Sequence, residues 1–512
     1  MRVFFTNLGC KLNQAENERL ARDFLAAGHQ VAASLDDADL HVVNSCTVTA
    51  AAARSSRQAA RAAVRLPPGR PLRTVLTGCY ATASSAEAAG LAGVDLVVPN
   101  RDKDRLLEQV ARAFPEAARI DAPASLAGPE TSAPTRAGAG LPGAGSAGAP
   151  LPRSPHGNTR ALVKIEDGCD MRCAFCIIPA TRGRQRSRPP AEVIAEVRRL
   201  AGAGYREIVL TGVQISAYRA APEGAAIHGG SAVSIVPALP AGAAVSGAAA
   251  LPGRGHASAR PLGLAHMVRE VLAALPAVAA RAASTADRAP SSDHRPDGPG
   301  APEGPPATRL RLTSIAPWEL DDELLALWSD PRLCRHLHLS LQSGADATLR
   351  RMRRPYTAGR YARLVERARA AVPGVAVTTD VIVGFPGETA AEFEESLATV
   401  AALGFAKVHV FPFSPRPGTA AAALPDAVPP AEQRQRVARM IAVAERSEQD
   451  FRRGHLGRRA MVLWERQKGG QGQGLTDNYI RVFSPAAAAL RNQLVEVELV
   501  ALAPGGMIGR LA

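Results

Sequence analysis

The chain has 512 residues, with 61 lysines and arginines against 47 aspartates and glutamates, and a formal charge of +14. At about 100–200 residues per domain, that length predicts two to four domains. The 46% hydrophobic content excludes a fully disordered or fibrous chain, and the absence of any run of about 18 apolar residues excludes a membrane-spanning helix.

Residues 1–117 alternate short apolar runs (RVFFTNL, LHVVNSC, TVLTGC, VDLVVP) with helical stretches (AENERLARDFLAAG, AAARSSRQAARAAV). That alternation predicts a βαβ domain with a parallel sheet. The opening MRVFFTNLGC has no signal-peptide architecture and reads at once as a strand, so the expected location is cytoplasmic. Residues 118–157 are rich in Ala, Gly, Pro and Ser, lack apolar periodicity and are expected to form a flexible linker. Residues 158–440 carry strands at ALVKIEDGC, EIVLTGV, LRLTSI, HLHLSLQ, VAVTTDVIVGF and KVHVFPF, with helices between most of them. Six strand–helix repeats predict a partial (β/α)6 barrel. Two low-complexity insertions, at 219–261 and 278–307, interrupt it, and between them LGLAHMVREVLAAL has the spacing of a core helix. Residues 446–512 read as short alternating strands with Gly-rich turns, which predict a small antiparallel β-barrel. The fold class is therefore α/β with a C-terminal all-β appendage.

The seven cysteines are too sparse for a disulfide scaffold, and their clustering points to metal or catalysis. Cys169, Cys173 and Cys176 form C-x3-C-x2-C in EDGCDMRCAFC, with Phe175 just before the last. Three thiolates on a tight loop after a barrel strand suit three irons of a cubane and leave the fourth open to a ligand. A zinc loop is the alternative, although a closed zinc site wants a fourth donor. Cys10, Cys46 and Cys79 each follow a strand of the first domain. The carboxyl ends of parallel strands line one edge of the sheet, so these three thiols should converge on a second cluster. Small buried apolar cysteines are the bland alternative and explain one of them more easily than three.

The C-x3-C-x2-C loop is the signature of the radical S-adenosylmethionine enzymes, and the chain resembles one subfamily, the methylthiotransferases, over nearly everything outside the linker and insertions. NLGCKLNQAE (7–16), NSCTVT (44–49) and TGCYA (77–81) match its N-terminal domain. CIIPATRGRQRSRP, HLSLQSGAD, TTDVIVGFPGET and HVFPFSPRPGT match its radical domain, and GLTDNYIRV resembles the RNA-binding TRAM barrel. The resemblance implies two [4Fe-4S] clusters and S-adenosyl-L-methionine, with Cys169, Cys173 and Cys176 holding the radical-generating cluster. Cys10, Cys46 and Cys79 would hold an auxiliary cluster that supplies or relays sulfur. LGCK, IEDGC, HVFPFSPRPGT and TDNYIRV look most like the branch that modifies threonylcarbamoyladenosine at tRNA position 37. Other branches act on isopentenyladenosine in tRNA or on an aspartate of a ribosomal protein. Implied partners are tRNA, a flavodoxin or ferredoxin as electron donor and a sulfur source, with no membrane and a monomeric chain. A tRNA-binding regulatory protein with a structural cluster is the competing class, and the vacant iron argues against it.

Among other residues, Gly212 and Gln214 at the second barrel strand end, and Ser340 and Gln342 with Ser343 at another, are candidate cofactor contacts, as is Phe175. Arg182, Arg184, Arg186 and Arg188 would share one face of an extended segment and could bind tRNA phosphates. Tyr479 and Arg481 could meet RNA on the small barrel. The basic excess is nearly all arginine, with lysine only at 11, 103, 164, 407 and 468, so coding bias dilutes it as a nucleic-acid signal. Cys334 is expected to be a buried structural thiol, Trp318 to be core, and Asp380 to have an inward polar role.

Overall fold

The structure, a computed structural model, describes residues 1–65, 72–115, 158–221, 261–276, 308–487 and 489–511. The predicted linker and nearly all of both insertions lie outside the described residues.

The N-terminal sheet is formed by β1 (Arg2–Asn7), β2 (Gln30–Val31), β3 (Leu40–Ser45), β4 (Arg73–Gly78) and β5 (Leu96–Val98). All pairs are parallel, in the order β2-β1-β3-β4-β5. β3 is buried at every position, as a central strand covered on both faces must be. Its alternate side chains go to opposite layers. Leu40 and Val42 pack with Leu20 and Phe24 of helix Lys11–Ala26 and with Leu106 and Val110 of helix Leu106–Ala113. Val43 packs with Ala53 and Ala60 of helix Ala50–Ala60.

The middle of the chain builds β6 (Arg160–Lys164), β7 (Glu166–Asp167), β8 (Arg186–Ser187), β9 (Glu207–Thr211), β10 (Arg309–Leu312), β11 (Ser314–Ile315), β12 (His336–Leu339), β13 (Ala376–Val383) and β14 (Lys407–Pro412). β6, β9 and β10 pair in parallel, as do β11 to β14, and a parallel bridge from Leu310 to Leu333 links the two sets. Among the described residues no hydrogen-bonded pairing joins β14 back to β6, so the barrel is open. Leu310, Leu312, Leu337, Leu339, Val377 and Val381 feed one apolar core, which helix Leu264–Ala274 completes with Met267, Val268 and Val271. The alternate residues of the same strands, including Arg309, Arg311, His336, His338 and Asp380, line a polar lumen.

Helix Pro430–Arg453 runs along β14 and leads to β15 (Arg459–Lys468), β16 (Gln471–Thr476), β17 (Arg481–Ser484), β18 (Leu494–Ala503) and β19 (Gly506–Leu511). These close into a barrel in the order β15-β16-β17-β19-β18. The expected all-antiparallel pattern fails at one seam, where β17 and β19 run parallel through Val482↔Met507. Five is an odd number, so strand directions cannot alternate all the way around a closed ring. No helix among the described residues is long and apolar enough to cross a membrane.

Candidate active site

Cys10, Cys46 and Cys79 stand at the carboxyl ends of β1, β3 and β4, three adjacent strands. Two glycines permit their approach. Gly9 has φ +105°, and a Cβ there would lie 2.8 Å from Cys46 Sγ. Gly78 has φ +99° and would drive a side chain into the Ser45 backbone. Both conformations are ones L-residues rarely adopt. Asn13, one turn into the first helix, ties two of the loops together by donating to the carbonyls of Leu8 (2.8 Å) and Ser45 (3.1 Å). Asn100 donates to Cys79 Sγ (3.6 Å) and to the Thr181 carbonyl (3.0 Å), which joins the sheet to the radical domain. Burial pushes the Cys46 thiol up to about 11, and the charges of Cys79 and Cys10 add to the shift.

Cys169, Cys173 and Cys176 share the loop after β7. Cys169 accepts from the Met171 amide (3.4 Å) and faces Gln214 Oε1 (3.8 Å), and Cys173 accepts from Arg354 (3.3 Å). Arg354 in turn lies over the Trp318 ring. Burial, then the neighbouring cysteines, push the thiols of Cys169 and Cys176 up to about 11 and about 12. Such thiols become ligands only as protons leave, so metal loading at either trio must release protons. All seven cysteines are free. Among the described residues neither trio brings its three sulfurs within 4.8 Å of one another, the closeness that ligands of one metal ion require.

The two trios meet through one buried ion network. Arg182 ends the short helix Ile178–Arg182. It donates to Glu16 (2.8 Å), Asp167 (3.0 Å) and Asn13 Oδ1 (2.6 Å). Glu16 also binds Lys103 (2.7 Å) and Lys164 (3.2 Å), and Lys164 binds Asp167 (3.2 Å). Three cations thus surround two carboxylates. Despite the cost of burial, Arg182, Lys103 and Lys164 hold the Glu16 carboxyl well below the usual range. Beside them Glu166 accepts from the Gln214 amide (2.8 Å), while its other oxygen has no partner among the described residues. Burial and the adjacent Asp167 push its carboxyl up to about 8.

The sequence candidates sort as follows. Gly212 packs so close to Glu166 that a Cβ would lie 2.7 Å from its carboxylate and 2.9 Å from its backbone carbonyl oxygen, so contact with Glu166 accounts for the glycine. Phe175 joins Met352, Phe385 and Phe413 in an apolar wall beside the cysteine loop. Ser340 donates to Asp380 (3.3 Å), which also pairs with His338 (3.2 Å). His338, Asp380 and His409 bring their ligand atoms within 4.8 Å of one another. Gln342 is buried with φ +67° and bridges to β13 through its backbone. The arginine row does not form. Only Arg186–Ser187 is extended; Arg182 is helical, 1% exposed and committed to Glu16, Asp167 and Asn13. Arg188 turns inward to Glu196 (2.7 Å) and the Lys164 carbonyl (2.8 Å), which leaves only Arg184 and Arg186 outward. Tyr479 does not face outward either. It stacks on His336 (4.8 Å) and accepts from Arg160 (3.2 Å), because the turn before β17 is pressed into the floor of the open barrel. Arg481 is exposed. Trp318 is partly buried beside Tyr356 and Arg354, while Cys334 is buried as expected.

Sequence reasoning missed Asn13, Glu16, Lys103, Lys164 and Arg354. One signal was available. In a chain with so few lysines, Lys11, Lys103 and Lys164 all converge on this region.

Residues 2–99 match the model described as Uncharacterized protein family UPF0004, and residues 163–230 and 291–400 match the Radical SAM superfamily. The Bacillus subtilis threonylcarbamoyladenosine tRNA methylthiotransferase MtaB is 30% identical over 97% of this chain and 93% of its own length. The chain belongs to the radical S-adenosylmethionine methylthiotransferase family. The Novosphingobium aromaticivorans tRNA-2-methylthio-N(6)-dimethylallyladenosine synthase is 31% identical over 99% of this chain and 96% of its own length. The Roseiflexus castenholzii ribosomal protein uS12 methylthiotransferase RimO is 32% identical over 93% and 86%. Relatives of three substrate types thus lie at similar identity. What this methylthiotransferase has in common with all of them is an enzyme of radical sulfur insertion and methylation that uses a [4Fe-4S] cluster and S-adenosylmethionine.

Proposed function

We propose that the chain inserts a methylthio group at C2 of N6-threonylcarbamoyladenosine at position 37 of tRNA, and that Cys10, Cys46 and Cys79 hold a second [4Fe-4S] cluster. The observation that carries this reading is the joining of two separate cysteine trios by one polar network, with Arg182 and Asn100 each touching both sides. When bound, the clusters and S-adenosylmethionine supply the one-electron chemistry, the sulfur path and the methyl group. The chain's own residues place the two centres. Asn13 fixes the loops of Cys10 and Cys46, Arg182 locks that sheet onto the Cys169 loop, and Arg354 sets a positive charge against Cys173. The substrate branch rests on the LGCK and HVFPFS segments and on a lumen lined by charged and hydrogen-bonding groups, a poor host for an all-carbon dimethylallyl tail.

Nucleoside mass spectrometry of bulk tRNA tests the reading. Deletion of the gene is expected to remove the 2-methylthio form of threonylcarbamoyladenosine and accumulate its parent. Neither Cys46→Ala nor Cys173→Ala should restore it. In vitro, Cys46→Ala should keep half the iron and still cleave S-adenosylmethionine reductively, whereas Cys173→Ala should not cleave it. Loss of the isopentenyl-type methylthio nucleoside instead would overturn the branch, and no change in either would move the substrate to protein.

A further inference from the structure

Beside the lumen of the open barrel stands one solvent-exposed cation, Lys11, that has no ion-pair partner among the described residues. Lys11 follows Cys10 directly and begins the first helix, yet its side chain turns into the barrel, where Nζ lies 5.1 Å from the centroid of the Tyr479 ring. No carboxylate among the described residues lies within ion-pair distance of it. The floor beneath is also short of negative charge. Arg160, Arg309, Arg311 and Arg335 are matched there by only Glu207, Glu465 and Asp477. The remaining lumen carboxylate, Asp380, is taken up by His338 and Ser340. His409 opens into the same space from β14, and the charge of Lys11 is felt at His336, His409 and Tyr479. A lone ammonium above a floor with excess guanidinium is a receptor for an anion.

We propose that Lys11 is a specificity-determining residue whose ammonium binds the carboxylate of the substituent on the substrate adenine, with Tyr479 as the floor of that subsite. The inference rests on the threonylcarbamoyladenosine reading above and names what reads its acidic tail. The geometry suits the chemistry. C2 and C6 of adenine lie on either side of N1 and their exocyclic bonds diverge, so the acidic end of a long N6 group can occupy a subsite separate from the reacting carbon. Lys11 follows Cys10 in the chain, and its ammonium reaches to 5.1 Å from the Tyr479 ring, away from the cysteine. A hydrogen-bonded carboxylate–ammonium pair in a lumen discriminates strongly against an uncharged analogue.

The test uses the full chain with both cysteine trios loaded and synthetic anticodon stem-loops whose position 37 carries threonylcarbamoyladenosine, its neutral carboxamide analogue or isopentenyladenosine. Fluorescence anisotropy gives the affinities, and iron content with the visible spectrum checks that each variant is intact. Wild type is expected to prefer the carboxylate RNA over the carboxamide by about tenfold or more. Lys11→Met should collapse that ratio toward one, and Lys11→Arg should restore most of it. If wild type shows the preference and Lys11→Met keeps it, the lysine is not the receptor and the branch reading stands. A wild type that binds isopentenyladenosine RNA more tightly sinks the branch reading and the inference with it.

Discussion

Other parts of the chain meet the open barrel at both ends of its strands, and both contacts are ionic. At the mouth, helix Lys11–Ala26 brings Glu16 against Arg182, Lys164 and Lys103, each of them almost wholly buried. At the floor, Glu207 holds Arg309 (2.6 Å) and Arg311 (2.7 Å), whose remaining donors cap the carbonyls of Leu475, Thr476 and Asp477 in the turn before β17. The difference lies in what each network touches. The floor arginines end on backbone carbonyls, so that network is a plug. The mouth network ends on Asn13 and Asp167, beside the Cys10 and Cys169 loops, so its charge balance bears on both cysteine trios.

Arg182→Met is the strongest way to break this contrast. It leaves Glu16 and Asp167 buried with one guanidinium fewer, and losing one partner of a buried pair costs about 3–5 kcal/mol. Thermal unfolding should register that loss. The variant should also lose iron preferentially from the Cys10–Cys46–Cys79 side, and turnover should fall about a hundredfold as the centres drift apart. If it melts early but keeps its full iron, the mouth is only a second plug.

Glu207→Gln is the matching test at the floor. Two guanidiniums lose their counter-charge at a site with no solvent access, again at about 3–5 kcal/mol. Here the expected signature is a lower melting temperature with the iron content of both trios intact. Loss of iron in this variant would erase the distinction between the two ends.

How much of this was legible beforehand follows from sequence distance. The Cys169–Cys173–Cys176 trio is local, spaced within one loop, and can be read directly. The other trio could be read because three cysteines recur after three strands whose parallel order follows from the βαβ alternation. The mouth network could not be read, because Glu16 and Arg182 are 166 residues apart and neither sits in a motif that demands the other. Period two across residues 182–188 puts Arg182 on an outer face, but the segment begins as a helix that turns it inward. The sequence of the small barrel offers Tyr479 to RNA, because the docking of one barrel against the other is written in neither domain alone.

The smallest effect sharpens the comparison at the point where floor and lumen meet. Burial raises the Tyr479 phenol, but Lys11, Arg160 and Arg311 outweigh burial and bring it down to about 8. The folded chain therefore gives up that proton before the unfolded chain, whose tyrosines titrate near 10. The stabilisation from the phenolate is complete above the unfolded value and is lost as pH falls through about 8, and it amounts to at most about 2–3 kcal/mol. Between those limits wild type should gain stability with rising pH relative to Tyr479→Phe. The tyrosinate absorbance should show one early-ionising ring that the variant lacks. Lys11→Met should move that ionisation upward, since it removes a cation from above the ring. An unmoved ionisation would mean that the guanidiniums of the floor set the phenol alone, and that the lysine at the mouth and the plug beneath it do not share one electrostatic field.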